Sequence, residues 1–190
     1  MNLKEFFDKL AEVFDGNLEM EKVARSELIS QKFNYRPPRD HTQLPAPIKQ
    51  VMQNENALPI CEDILNYPFN WAPPETSNDP KYQQHSTFKS HVELLGPDGL
   101  IKSEVVRLGL YGMLPYSEYG IRTHPAEELY IMLAGDCLWK KASEKYTSLT
   151  VNERSHHPSY MPHASKTQSN AFMSVFVWYG NLSKDQYIYE

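Results

Sequence analysis

Two histidines and one glutamate stand at spacings that suit a metal site. His124 and Glu128 are four residues apart, and His163 follows a proline further along the chain. Imidazole nitrogens and carboxylate oxygens bind borderline divalent ions such as zinc, iron, manganese, cobalt and nickel. We therefore predict that His124, Glu128 and His163 hold one divalent metal ion.

The residues around this group indicate a β-strand. Pro125 and the alternating pattern that follows it argue against a helix. In a strand, Glu128 and Tyr130 point to the same face, and Gly135 with the following aspartate provides a hairpin turn. We expect Glu128 and Tyr130 to point into a barrel, with His124 contributed by the loop before the strand.

Composition and charge exclude several classes of protein. The chain has 190 residues and a net charge of -5, which argues against binding to nucleic acid. No apolar stretch is long enough to span a membrane, and the charged N-terminus lacks the features of a signal peptide. Cys61 and Cys137 are far apart in sequence and favour buried free thiols over a disulfide. We expect a cytoplasmic protein without a membrane or nucleic-acid partner.

The periodicity predicts two parts with different secondary structure. Residues 1–80 are predicted to form a helical extension that packs on a barrel, with helices over 3–14, 18–33, 48–52 and 59–65. The stretch 67–82 is rich in proline and is the best linker candidate. Residues 81–190 are predicted to form a β-barrel, with strands at 87–95, 103–110, 127–133, 137–140, 148–151, 159–161, 173–179 and 186–189.

The metal-binding residues also fit two motifs of a known superfamily. His124, Glu128 and Gly135 form the pattern H-x-x-x-E-x-x-x-x-x-x-G, and Pro158 with His163 forms P-x-x-x-x-H. These segments resemble the two cupin motifs. The resemblance implies a mainly β fold, a cupin barrel of the double-stranded β-helix or jelly-roll type with an N-terminal helical extension. The chain departs from the motifs at Arg122, where a histidine is usual, and at Tyr160, where a glycine is usual.

A closer resemblance lies within the cupins. The string from His124 to Tyr130, the tyrosine at Tyr119 and the helical extension resemble the cupin-type dimethylsulfoniopropionate (DMSP) lyases. These carbon-sulfur lyases cleave DMSP to dimethyl sulfide and acrylate. The resemblance implies a metal site made of His124, Glu128, Tyr130 and His163.

The implied β-elimination needs a base near the metal, and tyrosines surround the first motif. A divalent cation favours a phenolate, so Tyr119 or Tyr130 could remove the α-proton. We expect Tyr119 to be the base, because it precedes Gly120 in a segment that looks mobile. Tyr130 is then a ligand or a stabiliser of charge.

Three residues are predicted to bind the substrate. The guanidinium of Arg122 matches a carboxylate with two parallel hydrogen bonds, although a surface residue replacing a lost ligand is equally compatible. The faces of Tyr160 and Trp178 suit a sulfonium cation. His156 and His157 are assigned to a turn.

The sequence leaves other functions open. One alternative is another metal-dependent cupin enzyme, a dioxygenase or an isomerase. A second is a cupin that binds a small ligand without turnover. Each of these has a small-molecule partner, and a homodimer is compatible with all of them.

Overall fold

The computed structural model describes residues 1–73 and 79–190. The helices in these ranges are α1 (Leu3–Ala11), α2 (Glu19–Ser30), α3 (Ala46–Met52), α4 (Ile60–Asn66) and α5 (Pro80–Gln84). The first four confirm the predicted helices: α1 and α2 are shorter than predicted, α3 begins two residues earlier, and α4 is shifted by one residue. Asn2 caps α1 in a capping box with Glu5, which satisfies free backbone N–H groups at that end. Part of the predicted linker, residues 74–78, lies outside the described residues, and α5 begins shortly after it.

The strands follow in the second part of the chain. They are β1 (Lys89–Gly96), β2 (Ile101–Lys102), β3 (Val106–Met113), β4 (Glu118–Thr123), β5 (Ala126–Gly135), β6 (Cys137–Lys141), β7 (Thr147–Leu149), β8 (Arg154–His157), β9 (His163–Lys166), β10 (Phe172–Gly180) and β11 (Ile188–Tyr189).

These strands form two sheets with a jelly-roll order. In the described part of the chain, the larger sheet runs β2-β1-β3-β10-β5-β8 and the smaller one runs β11-β4-β9-β6-β7. From β3 to β10, the chain crosses between the sheets at every step except from β6 to β7, so that β3 lies beside β10 and β4 beside β9, as in two interlocked Greek keys. The predicted cupin fold with a helical extension is therefore confirmed.

The two faces of the larger sheet are buried by different partners. Along β5, Leu129 and Ile131 belong to an apolar cluster shared with the helices, while Tyr130 and Met132 belong to an aromatic-rich cluster between the sheets. The helices contribute buried apolar side chains to the first cluster, such as Leu3, Phe6, Phe7, Leu10, Leu28, Ile48 and Ile64. The helical extension thus covers an apolar face that would otherwise be exposed to water.

Three short polar strands, β4, β8 and β9, differ from the predictions, and the two-residue strand β2 was not predicted. The stretch 118–123 is strand β4 instead of a loop, and His156 and His157 lie in β8 instead of a turn. The predicted strand at 159–161 is wrong, because those residues form a turn and the strand begins at His163. Polar residues occupy the inward positions of these strands, which removes the apolar alternation on which the prediction rests.

In the described ranges, no helix has both the length and the apolar character that a membrane crossing requires.

The packing of α2 on the sheet predicts that helices and barrel unfold together. Leu28 is fully buried in the shared apolar cluster, whereas Arg25 on the same helix is exposed. Leu28→Ala should lower the free energy of unfolding by about 2–5 kcal/mol because it leaves a cavity. Arg25→Ala should change it by less than ~0.5 kcal/mol. Denaturant unfolding measures both, and two separate transitions would contradict a shared core.

Candidate metal centre and active site

Four buried polar atoms converge inside the barrel. Oε2 of Glu128 lies 2.9 Å from Nε2 of His163, 3.4 Å from Nε2 of His124 and 3.4 Å from Nδ1 of His157. In the described part of the chain, none of these four atoms has a hydrogen-bond partner. Burying so many unpaired polar atoms at one point is costly unless something binds them.

The strand pairing places these side chains together. Glu128 in β5 lies directly opposite His157 in β8 and Trp178 in β10. The indole Nε1–H of Trp178 donates to Oε1 of Glu128 at 2.6 Å, so this carboxylate oxygen is already satisfied. His124 lies between β4 and β5, and His163 begins β9.

Backbone carbonyls set the tautomers of two imidazoles. Nδ1 of His124 lies 3.1 Å from the carbonyl of Ala126, and Nδ1 of His163 lies 2.7 Å from the carbonyl of Met161. Because a carbonyl accepts but never donates, each Nδ1 carries the proton. In the neutral ring, Nε2 then presents a lone pair toward Glu128, as a metal-binding histidine does.

The geometry fits a divalent cation. Two donors bound at about 2.1 Å to one ion lie about 3.0–3.4 Å apart at octahedral and tetrahedral angles. The separations around Glu128 match this range within 0.1 Å. One ligand atom from each of His124, Glu128 and His163 lies within 4.8 Å of the other two. These three predicted residues are therefore brought together in a group that is compatible with one divalent ion.

Electrostatics keep the group in the ionisation states that a metal requires. Burial alone would raise the pKa of Glu128, but the imidazoles of His124, His157 and His163 more than offset this and hold the pKa well below its usual range. Burial lowers the pKa of His157 to about 4, and burial together with Arg122 lowers that of His163 well below its usual value. At neutral pH the group therefore comprises the carboxylate of Glu128 with the neutral imidazoles of His157 and His163 beside it.

A bulge in β4 turns Arg122 into the barrel. Tyr119 pairs with Ser165 and Arg122 pairs with His163, so three steps on β4 match two on β9. Tyr119 and Arg122 are both buried as a result. Arg122 is 1% exposed, which rules out the surface position considered for it. Its Nη2 lies 3.5 Å from the hydroxyl of Tyr130.

A small cavity adjoins Glu128. Its volume is about 40 Å³, room for two or three water molecules. It is lined by Tyr82, His91, Glu93, Arg107, Tyr111, Tyr119, Arg122, Glu128, Tyr130, Phe176, Trp178 and Tyr187. The predicted catalytic residues Tyr119 and Tyr130 and the predicted substrate-binding residues Arg122 and Trp178 thus share one cavity. Its walls are mostly aromatic.

Two features of the predicted site differ in the structure. Tyr119 lies in a paired strand, so the expectation of a mobile segment is wrong. Tyr160 is 53% exposed, and its hydroxyl bonds to Gln186 outside the cavity. Its predicted role in substrate binding stays a prediction without support from this geometry.

Sequence reasoning missed His157 and Tyr187. His157 faces Glu128, while its neighbour His156 faces Glu127 near the surface, as alternation along a strand requires. Recognising β8 as a strand would have separated the two histidines. Tyr187 comes from the C-terminal segment, and its hydroxyl contacts that of Tyr119. No local signal links these two residues, which are 68 positions apart.

Comparison with known proteins identifies the family. The profile of the dimethylsulfoniopropionate lyase family matches residues 57–174, more than half of the chain. The chain belongs to this family. A curated member, the dimethylsulfoniopropionate lyase DddQ of Ruegeria pomeroyi, is 32% identical over 89 residues. That match covers 47% of this chain and 44% of the relative, so it spans less than half of the relative's length.

Solved structures with similar folds cover nearly the whole chain. One comes from a report on the DMSP lyases RdDddP and RnDddQII, with a TM-score of 0.70, 15% identity and coverage of 99% of this chain and 97% of that one. Another is the DMSP lyase DddQ from Ruegeria pomeroyi DSS-3, with a TM-score of 0.68, 18% identity and coverage of 98% and 95%. At such identities the likeness concerns the fold.

The metal centre predicts a graded response to histidine substitution. His163→Ala removes a donor and should nearly abolish metal binding. His157→Ala should weaken it by about 10–100-fold, because His157 contacts a ligand. His156→Ala is the matched control, since His156 points away from Glu128, and it should bind metal like the wild type. Chelator competition measures these affinities, and equal values for the three variants would contradict the assignment.

The buried imidazoles predict that the metal-free chain loses stability in acid. The folded-state pKa of His157 is about 4, below its ordinary value of 6.5. Because the unfolded chain binds the proton first, the free energy of unfolding falls as the pH drops below 6.5. This histidine alone lowers it by ~2 kcal/mol at pH 5. His157→Gln should make the pH profile flatter, whereas His156→Gln should leave it unchanged. Denaturant unfolding at pH 7 and pH 5 measures the difference, and parallel profiles would contradict this cause.

Proposed function

We propose that this protein is a metal-dependent DMSP lyase, a carbon-sulfur lyase that releases dimethyl sulfide and acrylate. The observation that carries the proposal is the cavity between a candidate metal centre and a cluster of tyrosines in a chain of the DMSP lyase family. His124, Glu128 and His163 would hold the ion, with Tyr130 beside them. Zinc, iron, manganese, cobalt and nickel all suit this donor set.

The reaction is a β-elimination that needs a base and an anchored substrate. A base removes a proton from the carbon next to the carboxylate, and the electrons of that C–H bond form the new double bond. The bond between the β-carbon and sulfur breaks, and its electron pair leaves with dimethyl sulfide. A divalent ion would supply Lewis-acid stabilisation of the negative charge that develops beside the carboxylate. The abstracted proton remains on the base and later passes to water.

Tyr119 is the base in this proposal. Burial and the neighbouring Tyr187 raise the pKa of the Tyr119 phenol, while the guanidinium of Arg122 acts in the opposite direction. Arg122 lies 3.9 Å from the centre of the Tyr119 ring. The guanidinium of Arg122 and a divalent ion nearby are the charges that would favour a Tyr119 phenolate. Tyr130 contacts Arg122 and acts as a ligand or charge stabiliser.

Aromatic side chains suit the other end of the substrate. A sulfonium cation has no hydrogen-bond donor, so the faces of aromatic rings are its natural partners, at about 0.5–2 kcal/mol per contact. Trp178, Phe176 and Tyr187 line the cavity with such faces. The cavity is smaller than the substrate, and we expect its aromatic walls to move apart when the substrate enters.

The decisive experiment measures dimethyl sulfide in the headspace after DMSP is added to metal-loaded protein. Tyr119→Phe should lower kcat by about 10²-fold or more while metal content stays full. Tyr130→Phe should change metal affinity as well as rate. Tyr146→Phe serves as the control, because this tyrosine bonds to Glu118 at the surface and should behave like the wild type.

Two results would contradict the proposal, one its lyase function and the other its choice of base. Fully metallated wild-type protein that releases no dimethyl sulfide would contradict the lyase function. Normal turnover by metallated Tyr119→Phe would leave the lyase function intact and assign the base elsewhere.

A further inference from the structure

Two hydrogen-bond donors with no acceptor face the cavity. Nη1 of Arg122 and the hydroxyl of Tyr111 are both buried and without a partner in the described part of the chain. Arg122 is 1% exposed and Tyr111 is 3% exposed, and both side chains line the cavity beside Glu128. Tyr111 projects from β3 in the larger sheet, and Arg122 projects from β4 in the smaller one, so the two donors approach from opposite walls.

The same region holds basic groups without a paired carboxylate. Arg122 and Lys89 both lie against the ring of Tyr119, with Nζ of Lys89 3.1 Å from the ring centre and Cζ of Arg122 3.9 Å from it. In the described ranges, neither residue forms an ion pair, and the closest polar partner of Lys89 is the hydroxyl of Ser86 at 3.5 Å. Burial and the charge of Arg122 lower the pKa of Lys89 to about 5. A bound anion would relieve this repulsion.

Such a region favours a small anion with two acceptor oxygens. A guanidinium with a free N–H and a phenol O–H can each donate to one oxygen of a carboxylate. The aromatic walls around them lower the local dielectric constant, which strengthens the electrostatic attraction. A neutral amide of the same shape offers one oxygen and no charge, so it would bind far more weakly in this region than a carboxylate.

We propose that Arg122 and Tyr111 form a carboxylate-binding subsite that holds the substrate through Arg122 Nη1 and the Tyr111 hydroxyl. The identity of the carboxylate as that of DMSP rests on the proposed function. The subsite itself rests on the unpartnered buried donors, and it would accept other short monocarboxylates.

The subsite explains why an arginine can occupy a position where the cupin motif has a histidine. The bulge in β4 points Arg122 into the barrel, where its Nη2 lies 3.5 Å from the hydroxyl of Tyr130. A carboxylate held there would share the cavity with Glu128 of the candidate metal centre and with Tyr119. The arginine thus orients the substrate in place of serving as a metal donor.

The test uses propionate, which has the carboxylate but no leaving group, and propionamide, its neutral counterpart. Calorimetric titration of the full chain, with and without metal, measures binding. Tyr111→Phe removes a single hydroxyl and should weaken the binding of propionate by about 10-fold. Arg122→Met should weaken this binding by about 100-fold. Tyr146→Phe is the matched surface control and should bind like the wild type. Propionamide should bind weakly to every variant.

Two outcomes would overturn the subsite. One is equal affinity of propionate for the wild type and for Tyr111→Phe, when thermal unfolding shows that both proteins are folded. The other is binding that vanishes when the metal is removed, since the carboxylate would then be held by the ion alone. Arg122-dependent binding of propionate in a wild-type protein that releases no dimethyl sulfide would support the subsite and contradict the proposed lyase function.

Discussion

The carboxylate of Glu128, buried in the middle of a β-barrel, is the constraint on which the site depends. A buried charge is costly unless it is paired and hydrogen-bonded. Here the indole of Trp178 satisfies one oxygen, and the imidazoles of His124, His157 and His163 surround the other. β5 lies between β8 and β10, which is why partners from both neighbouring strands reach Glu128. The candidate metal centre follows from this placement.

The inner face of the larger sheet can be polar because the outer face provides much of the apolar core. Leu129, Ile131 and Leu133 of β5 pack with the helices in one hydrophobic cluster. Their neighbours Glu128 and Tyr130 point the other way and line the cavity. Hydrophobic burial under the helices therefore offsets the cost of placing charged groups inside the barrel. Helices α1 to α4 support the site without contributing a residue to its cavity, whereas α5 contributes Tyr82.

Arg122 changes the character of this cupin site. A histidine at this position would add a neutral donor, whereas the guanidinium adds a permanent positive charge beside Tyr119 and Tyr130. That charge opposes the rise in the pKa of both tyrosines that burial causes. One substitution in the motif thus affects the candidate base, the candidate ligand and the anion that the cavity can accept.

The sequence alone determined the fold class, the helical extension and the trio His124, Glu128 and His163, because motif spacing and hydrophobic periodicity are local properties. The tertiary structure decided what periodicity cannot encode. Strands β4, β8 and β9 carry polar side chains toward the cavity, so their sequences lack the apolar–polar alternation that identifies a strand. The inward direction of His157 could therefore not be predicted. The bulge that turns Arg122 inward depends on pairing with β9. The contact of Tyr187 with Tyr119 exists because the chain's end returns to pair with β4, an interaction between residues distant in sequence.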